Sequence, residues 1–393
     1  MITYNLPTNW IHYDPVAIAP ALTKAKAAVL AMAFIPYQRS WVEQLHVAQL
    51  NSEVAATLRI EGADFTEKEL AQALEGAPDQ LYTRSQRQAA ACIKAYRWIA
   101  NQPSDRSVNA QLICDIHRLV ITGADDDHCP PGKIRGQASN IVFGTPQHRG
   151  VEGGPECEKA IAHLGRAVQQ KFPDHDPLIQ GLALHYHLAA MHPFLDGNGR
   201  TARALEALML QRTGLGGTRS IALSNYYYEE KNDYLMSLAE VASHHHDLTS
   251  FLVFGLIGIE KQCLRLFEEL MIKVSKALYR DVMVDLFNRL RTHRRQVIVK
   301  RHIAILKLLL NNDLTLEELT ERTAAIYQPL TSSYQALIRD IDYLLQLGAM
   351  GFDKLEGPGY RLFVRLEWPT EITETLFFER IKNMSKGKQS FLG

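Results

Sequence analysis

The chain has 393 residues, length for two or three domains, and its 46% hydrophobic and 22% charged content is that of an ordinary globular protein. Its 43 Lys and Arg equal its 43 Asp and Glu, so the whole chain makes no electrostatic case for binding nucleic acid or a membrane surface. Five cysteines without a C-x-x-C pair argue against zinc or disulfide chemistry; reduced thiols and a cytoplasmic location are expected.

The first fifteen residues lack a basic segment followed by an apolar run, so no signal peptide is expected. Helical periodicity covers 19–48, where the run "ALTKAKAAVLAMAFI" is interrupted by two lysines and falls short of a membrane span. "SEVAATLRIEGADFT" predicts a short helix over about 52–62, with Thr57 and Glu61 four apart on one face and Gly62 as a left-handed stop. Alone, that is an ordinary solvated helix end. Helices follow over 66–75, 82–100 and 108–122. Pro130, Pro131 and Gly132 end that series, and Asn140, Ile141, Val142, Phe143 and Gly144 have the content of a short strand. The next helix is predicted over 156–171.

"MHPFLDGNGRTAR", residues 191–203, concentrates unlike chemistry between two apolar helices. Asp176 is a natural N-cap and Pro177 a first-turn residue for the helix before it, and Pro193 should end that helix at Met191 or His192. The loop therefore opens onto the N-terminus of the second helix, whose unpaired N–H groups and dipole suit an anion. Gly197 and Gly199 permit a nest of backbone N–H groups, while Arg200 and Arg203, three apart, can fork onto phosphate oxygens. Asp196 is placed to hold Mg²⁺ on a polyphosphate, and His192 to take a proton from an attacking group. Phe194 is read as a core anchor.

This string resembles the signature of the Fic family, His-x-Phe-x-Asp/Glu-Gly-Asn-Gly/Lys-Arg-x-x-Arg, at every defined position. The resemblance implies a protein adenylyltransferase that moves AMP from ATP to a Tyr, Ser or Thr hydroxyl of a target protein, and of itself, releasing pyrophosphate. It makes His192 the general base and Asp196 the ligand of Mg²⁺ (or Mn²⁺). Gly197, Asn198 and Gly199 then cradle the phosphates, and Arg200 and Arg203 hold their outer oxygens. Thr57-Leu58-Arg59-Ile60-Glu61-Gly62 is similar to the family's inhibitory motif, in which the glutamate pairs with the second arginine, here Arg203. Gly132 and Arg135 match a segment leading into the family's β-hairpin flap, which makes 140–144 the strand that aligns the target. In "SNYYYEEKNDYLMSL", Tyr227 and Tyr234 are candidates for the adenine pocket, with core packing as the equal alternative.

Helices are expected again over 235–241 and 248–290. Beyond them come an apolar helix in "IAILKLLLNND", a capping box at Thr315 and Glu318, a long amphipathic helix ending at Gly348, and two strands around Gly-Pro-Gly. Three helices and a hairpin describe a winged helix. Its candidate reading helix, 331–347, carries Arg339 against Asp340 and Asp342, which favours a protein-interaction or dimerisation role, a homodimer included, over DNA binding. Neither "HYHLAAMH" nor "SHHHDL" offers a convincing zinc set.

The expected fold is thus mainly α: a Fic-type helical core with a small β-hairpin flap, plus a C-terminal winged helix-turn-helix domain. The expected organisation is an N-terminal helical region 1–105, a catalytic core 106–260, a helical linker 261–296, the winged helix 297–368 and a tail 369–393. Two alternatives draw on the same pocket: removal of AMP from a modified protein, and a transcription regulator that only senses nucleotide.

Overall fold

The computed structural model describes residues 1–393 except 36–37, 76–80, 138–140, 145, 216–219, 291–292, 358 and 385–393. The chain divides into two compact units, Met1–Glu269 and Leu270–Gly393. Both are dominated by helix.

In the first unit, β1 is Ile2–Thr3, followed by α1 Pro15–Ala33, α2 Arg39–Ile60, α3 Glu67–Glu75, α4 Arg84–Ala100 and α5 Ala110–Ile121. Then come β2 Val142–Phe143, β3 His148–Arg149, α6 Pro155–Gln170, α7 Pro177–Met191, α8 Asn198–Leu210, α9 Leu223–Glu229, α10 Lys231–Ser243 and α11 Thr249–Asn288, whose last turns belong to the second unit. Caps explain several starts. Asp14 accepts from the Val16 and Ala17 N–H groups, Thr83 and Gln86 close a capping box on α4, and Asp176 accepts from Leu178 N–H at the head of α7. The helix expected over 19–48 is two helices, a break signalled by the proline at 36 in the sequence. The run read as too short to span a bilayer forms a helix of 19 residues with a windowed mean hydropathy of 1.5, long and apolar enough by composition. Here Ile18, Ala21, Ala25, Ala28 and Met32 form its buried stripe, and Lys26 pairs with Asp176 at 2.7 Å.

Helix α7 is the axis of this unit, because its apolar residues have no polar face to expose. Leu178, Leu182, Leu184, Leu188 and Met191 are buried, and so are its histidines His185 and His187. His187 donates through Nε2 to the Trp10 carbonyl (2.6 Å) and its Nδ1 accepts from Tyr4 Oη (2.9 Å). His246 likewise serves Asn5 O and Tyr186 Oη. Strands β1, β3 and β2 form one small sheet in that order: β1 runs parallel to β3, and β2 pairs antiparallel with it, Val142 opposite Arg149.

The second unit adds α12 His293–Asn311, β4 Leu314–Thr315, α13 Leu316–Tyr327, α14 Ser333–Leu347, β5 Met350–Lys354, β6 Tyr360–Val364, α15 Trp368–Glu371 and α16 Glu374–Asn383. The sheet order is β4-β6-β5, antiparallel throughout. Its core joins Phe287, Leu306, Leu319, Leu337, Ile341, Leu362, Trp368 and Phe377. Residues 369–384 are therefore no tail, since α16 is helical and buries Phe377. Asp340 faces inward instead of outward: it accepts from Arg301 Nε (2.7 Å) and Tyr327 Oη (2.6 Å), so it does not charge the outer face of α14.

Burial holds His187 below the usual histidine range, at about 3, and His117 at about 4. An unfolded chain binds both protons below about pH 6.5. Stability should therefore begin to fall as the pH drops through 6.5 and continue falling towards 4. Denaturant midpoints at pH 7.5, 5.5 and 4.5 check this, and a flat profile would mean that these rings protonate freely in the folded chain.

Candidate active site

The loop between α7 and α8 is built from both ends. His192, ahead of Pro193, closes α7 in the left-handed region (φ 52°). Gly197 (φ 73°) starts α8, and a Cβ there would meet Ile121 Cδ1 at 2.7 Å, so only glycine fits. Asn198 accepts from the Phe194 N–H and donates to the Phe194 carbonyl, both at 2.9 Å, which ties the loop shut. Phe194 is fully buried and stacks on His117 with centroids 3.7 Å apart. His117 in turn donates through Nε2 to the Asp196 carbonyl (3.1 Å) and accepts the Gly132 N–H on Nδ1 (2.9 Å). Arg135, also buried, donates to the His192 carbonyl at 2.8 Å. The helix itself starts within the motif, so Gly199 lies in its first turn and the Asn198, Gly199 and Arg200 N–H groups are first-turn donors.

His192 Nδ1 lies 3.2 Å from the Ala189 carbonyl, which can only accept, so Nδ1 carries the proton and Nε2 keeps a lone pair. Burial pushes this ring down to about 4, and it is neutral at physiological pH. Phe143 of β2 stacks on it, centroids 3.8 Å apart. Of the flap candidates, Phe143 borders the histidine and Gly144 the cavity beside it, Val142 pairs with Arg149 in the sheet, Ile141 is placed at neither, and Asn140 lies outside the described residues.

Arg203 is buried and fully engaged. Its Nε donates to Thr57 Oγ1 (2.7 Å), its Nη2 to the Thr57 carbonyl (3.1 Å) and to Glu61 Oε1 (2.5 Å), and its Nη1 reaches Tyr234 Oη at 3.5 Å. The Glu61 carboxylate lies so close to Gly199 that a Cβ there would collide with it. The helix that ends at Ile60 is longer than 52–62, but its last turn does place Thr57 and Glu61 together on Arg203. Arg200 pairs instead with Asp125 (2.7 Å) and Asp196 (3.2 Å). Nearby guanidinium charge holds Asp196 below the usual carboxylate range against the opposing effect of its burial.

A cavity of about 260 Å³ opens here, bordered by Glu61, Gly199 and Arg203 at one side and by Phe143, His148 and His192 at the flap, with Leu235, Leu238, Ala239 and Ala242 of α10 as apolar wall. Tyr234 lines it. Tyr227 does not: it stacks behind Tyr234 (4.7 Å) with its hydroxyl on Glu206, so it supports the wall from the core. Sequence reasoning missed His117, Asp125, His128 and Arg84, which no local pattern marks.

The apolar slot is thus bordered by the first turn of α8 at Gly199, by Arg203 and by a neutral histidine, with Arg200 set behind it on Asp125 and Asp196. Residues 107–210 match the model of the Fic/DOC family. Protein adenylyltransferase fic-1 of Caenorhabditis briggsae is 51% identical over 104 residues, 26% of this chain and 19% of that protein. Protein adenylyltransferase Fic of Nematostella vectensis is 31% identical over 150 residues, 38% of this chain and 31% of that protein. The matched stretches thus span less than a third of these relatives. A Fic family protein from Desulfovibrio desulfuricans shares the fold, with TM-score 0.56 and 16% identity over 92% of this chain and 98% of its own. Residues 107–210 are thus similar to the Fic/DOC domain, within a chain whose fold resembles that of a Fic family protein over most of its length.

Because Phe143 covers His192, Phe143→Ala should let water reach the ring and raise its pKa from about 4 towards the ordinary 6.5. NMR titration of the His192 ring signals measures this, and an unmoved midpoint would assign the burial to other neighbours.

Proposed function

We propose that this protein transfers AMP from ATP to a Tyr, Ser or Thr hydroxyl of a target protein, itself included, and that Glu61 restrains the reaction. The observation that carries the reading is the pairing of one neutral histidine with one phosphate nest across a single cavity. The hydroxyl oxygen attacks the α-phosphorus and the bond from that phosphorus to the bridging oxygen breaks, releasing pyrophosphate. The hydroxyl proton goes to Nε2 of His192, while Nδ1 stays committed to Ala189 and keeps the ring in the right tautomer. First-turn N–H groups of α8 and Arg203 receive the phosphates.

Asp196 suits a hard divalent ion: its carboxylate offers hard oxygen donors, and ligand atoms of Asp125 and His128 lie within 4.8 Å of it and of each other. Mg²⁺ or Mn²⁺ held there would neutralise phosphate charge. Relatives named protein adenylyltransferases favour transfer over the two alternatives weighed from the sequence.

His192→Ala should abolish transfer of label from α-labelled ATP while leaving nucleotide affinity within about threefold, because the ring contributes a proton acceptor and little binding. Retained transfer would dismiss His192 as the base. Glu61→Gly frees Arg203 of a charge-assisted hydrogen bond of about 1.5 kcal/mol or more, discounted for the carboxylate's exposure. ATP affinity by calorimetry and self-labelling should both rise, affinity by about tenfold; no change in either would remove the restraint from this account.

A further inference from the structure

At the opposite end of the loop from Glu61, a second side chain occupies a partner's place. Arg84 is the first residue of α4, held there by the Thr83–Gln86 capping box. Its Nε donates to Asp125 Oδ1 at 2.7 Å and its Nη2 reaches Asp196 Oδ2 at 3.4 Å. His128 Nε2 lies 3.0 Å from that same oxygen. The other oxygen of Asp196 takes the Gly197 N–H (2.5 Å) and faces Arg200 (3.2 Å). Asp125 is closed as well, by Arg200 and by Gln88.

Two carboxylates are therefore balanced by two guanidiniums, and the two arginines are not equivalent. Arg200 is 3% exposed in its side chain and cannot leave without unpairing buried Asp125. Arg84 is 55% exposed, and its long 3.4 Å contact with Asp196 through Nη2 can open to water while Nε stays on Asp125. A guanidinium and a divalent ion compete for the same carboxylate oxygen, since each needs its lone pairs.

We propose that Arg84 is a positioning residue that occupies Asp196 in place of the divalent cation, so that cation binding requires its displacement. This rests on the reading of Asp196 as the cation ligand. The resting site then holds a tethered substitute for each half of the metal–nucleotide pair: the Glu61 carboxylate on Arg203, where phosphate belongs, and the Arg84 guanidinium on Asp196, where the cation belongs. The guanidinium then holds this place until a stronger cation arrives.

Titration of the full chain with Mn²⁺ alone, following free Mn²⁺ by electron paramagnetic resonance, tests this without any turnover. Arg84→Ala should tighten Mn²⁺ binding by about tenfold, and Arg84→Lys, which keeps a flexible cation, should return it to within about threefold of the parent. In an Asp196→Asn background the Arg84→Ala gain should vanish. Equal or weaker binding by Arg84→Ala, undetectable binding included, overturns the proposal when Asp196→Asn still lowers affinity. If Asp196→Asn leaves Mn²⁺ affinity unchanged, it is the reading of Asp196 that fails. A circular-dichroism melt of each variant confirms that the chain is folded, as the exposed position of Arg84 leads one to expect.

Discussion

The buried guanidinium of Arg203 is the constraint on which the site depends. A cation removed from water must be matched by acceptors, and stripping one partner from a buried pair costs about 3–5 kcal/mol, less where that partner is partly solvated. Thr57 supplies two acceptors and Glu61 the one carboxylate, with its side chain 41% exposed. The last turn of α2 is thereby bound to the first turns of α8 by charge. It can be replaced there only by another anion, and phosphate has the required geometry.

The loop owes its shape to a different economy. His117, Arg135 and the Asn198 side chain satisfy the carbonyls of Asp196, His192 and Phe194, so the backbone is fixed by groups that face away from the cavity. The polar groups turned towards it are few: the lone pair of His192, the first turn of α8 at Gly199, the Glu61–Arg203 pair, His148 and Tyr234. Preorganisation of this kind means that few groups would need to move as charge develops in the proposed transfer.

This division explains what could be read from the chain alone. The loop was legible because its determinants, the proline, the glycines and the two arginines, lie within thirteen consecutive residues and act through local backbone geometry. Thr57 and Glu61 were legible through their spacing of four, although their partner is more than 140 positions away. Arg84, Asp125 and His117 left no such trace, since each acquires its role from a residue at least 75 positions distant and none sits in a repeated pattern. Tyr227 could not be separated from Tyr234 because depth below a cavity wall has no sequence signal: two tyrosines seven apart look alike until one stacks behind the other. Asp340 shows the same blindness for charge, as an acid on an amphipathic helix reads as outward unless its half-buried arginine partner is known. The strand β1 was invisible because two residues carry no periodicity.

The geometry of α2 also determines how its carboxylate would give way to phosphate in the proposed function. Glu53, Thr57 and Glu61 succeed one another at intervals of four and so share a face. Glu53 is buried and accepts from the Ser224 N–H (2.8 Å), the Ser224 hydroxyl and Tyr96 Oη (2.7 Å), which fastens the helix to α9 and α4 one turn before Thr57. Thr57 is itself 1% exposed. Displacing the whole helix would leave Glu53 and its three donors unpaired in the core, a far larger cost than opening one half-solvated ion pair. Glu61 alone stands past the last helical residue, followed by Gly62 in the left-handed region (φ 88°), and is free of the packing that fixes the turns before it. In the proposed function, exchange at Arg203 is accordingly a side-chain movement at a helix end, with α2 remaining in place as a wall of the cavity.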